Sequence, residues 1–167
     1  MASTNTAPPR AGTAKATLAT PFGALILEAE GDHLLDIELQ AAAVKPVAPA
    51  TPLLQEAARQ FEAYLSDPRQ PLALKTPPAG TPYQQSVWRA LCAIPPGAAK
   101  SYAQIAAELG SSPRAVAAAC RANPYPLLIP CHRAVASHGL GGYCGAIDGP
   151  LVDIKRWLLQ HEGCELP

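Results

Sequence analysis

No segment of this 167-residue chain approaches the roughly 18 consecutive apolar residues that a bilayer-spanning helix needs. Its first ten residues, MASTNTAPPR, hold no apolar core of a secretory signal. No membrane role is therefore expected, and a cytoplasmic location is. No CxxC pair occurs, residues 1–80 contain no cysteine, and the five cysteines present (Cys92, Cys120, Cys131, Cys144, Cys164) are odd in number and irregularly spaced. Disulfide frameworks and common structural zinc sites both need regular spacings, so free thiols, no metal and no cofactor are expected. Net charge is missing too, with 13 Lys+Arg against 13 Asp+Glu. Residues 1–75 carry six basic against eight acidic side chains and residues 76–167 seven against five, so a nucleic-acid surface, if any, is local and lies in the second half.

What is present is enough apolar material, 49% of the residues, to bury the core of one ordinary domain or two small ones. Residues 1–14 show no periodicity and read as a disordered tail. Segments 15–20, 23–30 and 33–40 are apolar runs punctuated by Pro21, Gly23 and Gly31-Asp32, the pattern of an antiparallel meander. After a Pro/Ala linker (43–51), Leu53, Leu54, Ala57, Ala58, Phe61 and Leu65 recur at helical spacing up to Asp67-Pro68. The run LALKT after Pro71 fits one more strand, and Pro77-Pro78-Ala79-Gly80 marks a boundary between a domain at 15–76 and one at 77–167.

The second half is helix-rich. One helix opens at Thr81 or Pro82 and closes at Pro95-Pro96-Gly97; a second covers Ser101 to Leu109; Ser111-Ser112-Pro113 supplies an N-cap and first-turn proline for a third, Arg114 to Ala122. Two short helices across a tight turn fit a helix-turn-helix and equally an αα-hairpin packed in a core. The third helix carries Ala115, Ala117, Ala118 and Ala119 between Arg114 and Arg121, a flat surface able to approach a nucleic-acid groove or, in the plainer alternative, to pack against a neighbouring helix.

Beyond Asn123-Pro124, the apolar run Leu127-Leu128-Ile129 delivers Pro-Cys-His-Arg at 130–133. A thiol attacks as thiolate, and a free cysteine with pKa ~8.5 is only slightly ionised at neutral pH. His132 is the nearest base for Cys131, but neighbours on an extended backbone face opposite ways, so a bridging water is the geometry to expect. Glu162, at the end of the last helix, is a candidate to orient the imidazole. A buried cysteine, a hydrogen-bonded histidine and a surface glutamate fit the same residues.

The strings SYAQIAAELG, NPYPLLIPCHRAV, GGYCG and KRWLLQHEG, in that order, resemble the O6-alkylguanine-DNA alkyltransferase family; TPFGALIL in the first half resembles it more loosely. The resemblance implies an α/β (α+β) fold, with a ribonuclease-H-like small sheet and helix followed by a helical domain bearing a winged helix-turn-helix. It implies a monomer that repairs double-stranded DNA by irreversible transfer of an alkyl group from O6-alkylguanine, and also O4-alkylthymine, to Cys131. His132 would activate the thiol through water, Glu162 would hold the imidazole, Tyr102 would help rotate the nucleotide and protonate the departing base, and Asn123 would tie the helix-turn-helix to the active segment. Arg114 would fill the hole left by the flipped base, with Ser101, Ala115, Ala118 and Arg121 at the DNA surface. The carbonyls of Cys131 and Ala134 would accept from the guanine amino group, and Tyr143, Cys144 and Cys120 would line the pocket. The stretch 145–154 reads as a longer loop than the family pattern, carrying Asp148 and Asp153, which bears on the range of alkyl groups accepted.

Two other readings use the same residues. A cysteine hydrolase would also employ Cys131, His132 and Glu162, but needs an oxyanion hole and turnover. A non-catalytic lesion sensor would bind DNA without an acceptor cysteine, which this chain has.

Overall fold

A computed structural model describes residues 12–166; the expected tail lies outside them as far as residue 11. Three strands, β1 (Ala14–Thr20), β2 (Gly23–Glu30) and β3 (His33–Gln40), form an antiparallel sheet in the order β1-β2-β3. The strand begins at Ala14, placed above in the tail, because Ala14 still pairs with Ala29. Two-residue turns at Pro21-Phe22 and Gly31-Asp32 close the hairpins, setting Thr20 opposite Gly23 and Glu30 opposite His33. The central strand is buried from Ala24 to Leu27, as befits one covered on both faces.

α1 (Pro52–Ser66) is capped by Thr51, whose side chain accepts from Leu54 N, and it buries Leu54, Ala57, Ala58, Phe61 and Tyr64. Leu25, Leu27 and Leu34 of the sheet belong to the same core. The Pro/Ala linker is more than a spacer: Val47 exchanges both backbone hydrogen bonds with Thr17 (3.0 and 3.1 Å), covering the free edge of β1. The strand expected at LALKT does not form. That segment instead makes isolated contacts, Leu34 N to Lys75 O at 2.9 Å and the Gln60 side chain to both backbone groups of Ala73, because the outer edge of β3 is shared, its next amide, Ile37 N, bonding Pro124 O at 3.2 Å.

α2 (Pro82–Cys92) opens with a reciprocal Thr81/Gln84 capping box and α3 (Tyr102–Leu109) with a Ser101/Gln104 box. Gly110 closes α3 in the left-handed conformation, and Ser112 caps α4 (Pro113–Arg121) by accepting from Ala115 N. α2 packs on α4, where the Trp88 indole N–H donates to Ala119 O at 2.9 Å. Two two-residue strands, β4 (Lys100–Ser101) and β5 (Ala134–Val135), pair in parallel, and α5 (Pro150–His161) completes the molecule. Because α5 begins at Pro150, only residues 145–149 of the expected long loop are irregular; Leu151 to Ile154 form the first turn of α5. Among the described residues no helix is long and apolar enough to cross a membrane.

Candidate active site

Asn123, just past the C-cap residue of α4, organises the segment after it. Its side-chain amide donates to Ile129 O and its oxygen accepts from Tyr125 N, both at 2.9 Å, while Ile129 N bonds Tyr125 O at 2.8 Å. This lashing holds Leu127 at φ 74°, a left-handed conformation that costs a non-glycine residue about 1–3 kcal/mol. The segment then winds into a 3-10 turn, Cys131–Arg133, and enters β5.

His132 points into the protein. Its Nε2 lies 2.8 Å from Glu162 Oε1, with both side chains sealed from solvent. Glu162 also accepts from Arg133 Nε (2.9 Å) and Nη2 (2.8 Å) and from the Tyr64 hydroxyl (2.7 Å), and Arg133 Nη1 donates to Ile94 O at 2.6 Å. Burial alone would raise the Glu162 carboxyl, but the bonds from His132 and Arg133 outweigh it and hold it at about 2. Burial lowers His132, overriding the raising effect of Glu162. The imidazole is therefore neutral, Nε2 must carry the proton because a carboxylate only accepts, and Nδ1 is left as a lone pair with no partner among the described residues. Glu162 orients a base.

Cys131 faces the other way, onto a cavity of about 200 Å3 walled by α4, Tyr102 and the loop from Gly142 to Ile147. Burial pushes its thiol up, while a hydrogen bond from Asn123 and the positive charge of Lys155 pull it back. Lys155 is fully buried. Its ammonium donates to Ala134 O (2.6 Å), Gly142 O (2.9 Å) and the Tyr102 hydroxyl (3.4 Å). Burial lowers it to about 8 against the raising effect of the three nearby thiols. Gly141 sits at φ 73°, where a Cβ would come 3.0 Å from the Tyr102 ring, so the loop can lie against that ring only through a glycine.

Cys131, Tyr102, Tyr143, Cys144 and Cys120 thus share one cavity, with His132, Glu162 and Asn123 directly behind it. Arg121, at the end of α4, lines the cavity as well. Arg114, Ala118 and Arg121 recur along the exposed side of α4, with Ala115 half-buried beside them; Ser101 is engaged in capping α3. Ala134 does not line the cavity, and its carbonyl already accepts from Lys155, so contact with a ligand would need its second lone pair. Sequence reasoning missed Arg133, Tyr64 and Lys155. Lys155 was legible, since Leu151, Lys155 and Leu158 share one stripe of α5; the contact of Tyr64 with Glu162 spans 98 positions and leaves no local signal.

The chain matches two family descriptions, "6-O-methylguanine DNA methyltransferase, ribonuclease-like domain" over residues 14–78 and "6-O-methylguanine DNA methyltransferase, DNA binding domain" over residues 82–164. A methylated-DNA–protein-cysteine methyltransferase of Methanosarcina barkeri is 45% identical over 65% of this chain and 67% of its own length. The constitutive one of Bacillus subtilis is 36% identical over 87% of this chain and 93% of its own. A Mycobacterium tuberculosis O6-methylguanine methyltransferase superposes with a TM-score of 0.74 at 31% identity, covering 90% of this chain and 93% of the other. A crystal structure of Mycobacterium tuberculosis OGT in complex with DNA superposes at 0.72 with 31% identity, covering 89% and 92%.

Proposed function

This chain belongs to the O6-methylguanine-DNA methyltransferase family and repairs DNA by transferring an alkyl group from O6-alkylguanine to a cysteine of its own, and we propose that this cysteine is Cys131. The supporting observation is the pair of neighbours in one turn: a cysteine facing a cavity beside α4, and a neutral histidine held by a buried carboxylate behind it.

O6 of guanine is hidden in a base pair, so the nucleotide must leave the stack, and a damaged pair costs less to open. Arg114, exposed at the start of α4, would fill the gap while Arg121 guides the nucleotide into the cavity. His132 Nδ1 takes the Cys131 proton through a water. The thiolate attacks the alkyl carbon as the carbon–oxygen bond breaks. Tyr102 protonates the departing guanine, and Lys155, hydrogen-bonded to the Tyr102 hydroxyl, replaces that proton. The product is a thioether that water does not cleave, so each molecule acts once.

We place the domain boundary between residues 76 and 77 and read the protein as a cytoplasmic monomer, a compartment that its free thiols favour. O4-alkylthymine fits the same attack at an alkyl carbon and is a second proposed substrate. Incubation with excess duplex carrying isotopically labelled O6-methylguanine tests the reading: label should saturate at one methyl per chain. Continued release of small labelled product would point to a hydrolase, and binding of the lesion without labelling to a sensor.

A further inference from the structure

Three thiols converge on the lesion cavity, and transfer uses one of them. Cys120, from the last turn of α4, and Cys144, from the Tyr143–Ala146 turn, line the same cavity of about 200 Å3 as Cys131. All three also border an adjoining cavity of about 330 Å3 on the β3 side, so the cluster can be reached from two directions. Burial, and after it a charge on Cys131, pushes both Cys120 and Cys144 up to about 12, an influence that requires proximity.

The two neighbours differ in freedom. Cys120 is built into a helix whose Ala119 carbonyl is bonded to Trp88. Cys144 is exposed, holds φ 49°, and lies beside Gly145 at φ 85° in a turn closed by the reciprocal Tyr143–Ala146 bonds (2.8 and 2.9 Å). Rotating that strained turn toward Cys131 costs less than shifting a packed helix.

We propose that the acceptor site is also a redox-modification site, in which a hydroperoxide oxidises Cys131 and Cys144 converts the product into a reversible Cys131–Cys144 disulfide; the proposal rests on Cys131 being the alkyl acceptor. The Cys131 thiolate attacks the hydroperoxide, the oxygen–oxygen bond breaks, and sulfur is oxidised to a sulfenic acid as the peroxide is reduced to alcohol or water. The Cys144 sulfur then attacks that sulfur, the sulfur–oxygen bond breaks, and the departing hydroxide takes the Cys144 proton and leaves as water. A thioether ends the life of the protein, whereas this bridge is undone by thiols. Without Cys144 the sulfenic acid would proceed to the irreversible sulfinic acid.

The test treats the reduced full-length protein with hydrogen peroxide, blocks remaining thiols, and reads the disulfide by tandem mass spectrometry. Methyl transfer is measured before oxidation, after it, and after thiol reduction, each variant being normalised to its own reduced activity. The expected result is loss of two hydrogens, a peptide pair joining residues 131 and 144, and transfer lost on oxidation and restored on reduction. Cys144→Ser should accumulate sulfinic acid and stay inactive after reduction, while Cys120→Ser should still form the bridge. A bridge to Cys120 instead, full recovery of Cys144→Ser, or direct passage of the unaltered protein to sulfinic acid overturns the proposal. Absence of methyl transfer in the untreated reduced protein would instead count against the acceptor assignment, since the linked-peptide readout needs no transfer activity.

Discussion

On one side of the Cys131–Arg133 turn, His132, Arg133, Glu162 and Tyr64 form a buried cluster in which the carboxylate meets three partners and almost no water. On the other side, Cys131 opens on a cavity where Lys155 is drawn down to about 8 and Cys120 and Cys144 are pushed up to about 12. One residue of backbone separates a network finished but for His132 Nδ1 from an unfinished one. The finished side holds a base and its tautomer fixed; the unfinished side leaves room and unspent hydrogen-bonding capacity for a base and its alkyl group. Substitutions should therefore cost stability on the first side and rate on the second.

The largest expected effect is at the boundary itself. Cys131→Ser should abolish methyl transfer in a single-turnover assay while the melting temperature stays near that of the unaltered protein, because a volume-conserving change faces the cavity rather than the ion cluster. Glu162→Ala should reverse the emphasis: it leaves Arg133 and His132 buried without their anion, and urea unfolding should show a loss of about 3–5 kcal/mol, with transfer slowed as well. The folded Glu162 pKa lies below its ordinary 4.5, at about 2, so its contribution is full above pH 4.5 and drains as pH falls toward 2. A Glu162→Gln protein should show a flatter stability profile across that window, measured by thermal melts.

Lys155→Met sharpens the contrast from the cavity side. Loss of three donated hydrogen bonds, one of them long, is offset by no longer burying a charge, so stability should move by only about 1 kcal/mol, whereas transfer should fall by about 10²-fold because the lysine feeds protons to Tyr102. A large stability loss with an unchanged rate would make Lys155 a structural tie between α5, Ala134 and Gly142. The smallest effect on the fold belongs to the rim: Arg114→Ala should leave the gap behind the flipped base unfilled and so slow transfer from duplex more than from single-stranded DNA, with the unfolding midpoint unchanged.

Much of this was legible without coordinates, and the pattern of what was not is physical. The meander, α1 and the capped α2, α3 and α4 were readable because their signals are local: alternation, helical stripes, Ser and Thr caps, prolines at first turns. The LALKT strand failed because edge pairing depends on which distant segments reach the sheet in space, and Pro124 takes the Ile37 amide on the edge of β3 that Lys75 meets at Leu34. The apparent insertion at 145–154 shrank because Pro150, which could as well prolong a loop, starts α5. At the site, the opposite orientations expected of Cys131 and His132 on an extended backbone arise instead within a 3-10 turn, whose form adjacency alone does not reveal. The closure of the ion cluster by Arg133 and Tyr64 depended on contacts between α1, the turn and the end of α5 that no short string encodes.

The most direct test is to react the protein with a limiting amount of O6-methylguanine duplex and locate the methyl group by tandem mass spectrometry of the digested chain. Cys131 should carry the methyl group while Cys120 and Cys144 remain free thiols. A methyl group on either neighbouring thiol, or an unmodified Cys131 after the lesion has been consumed, would contradict the assignment of the acceptor.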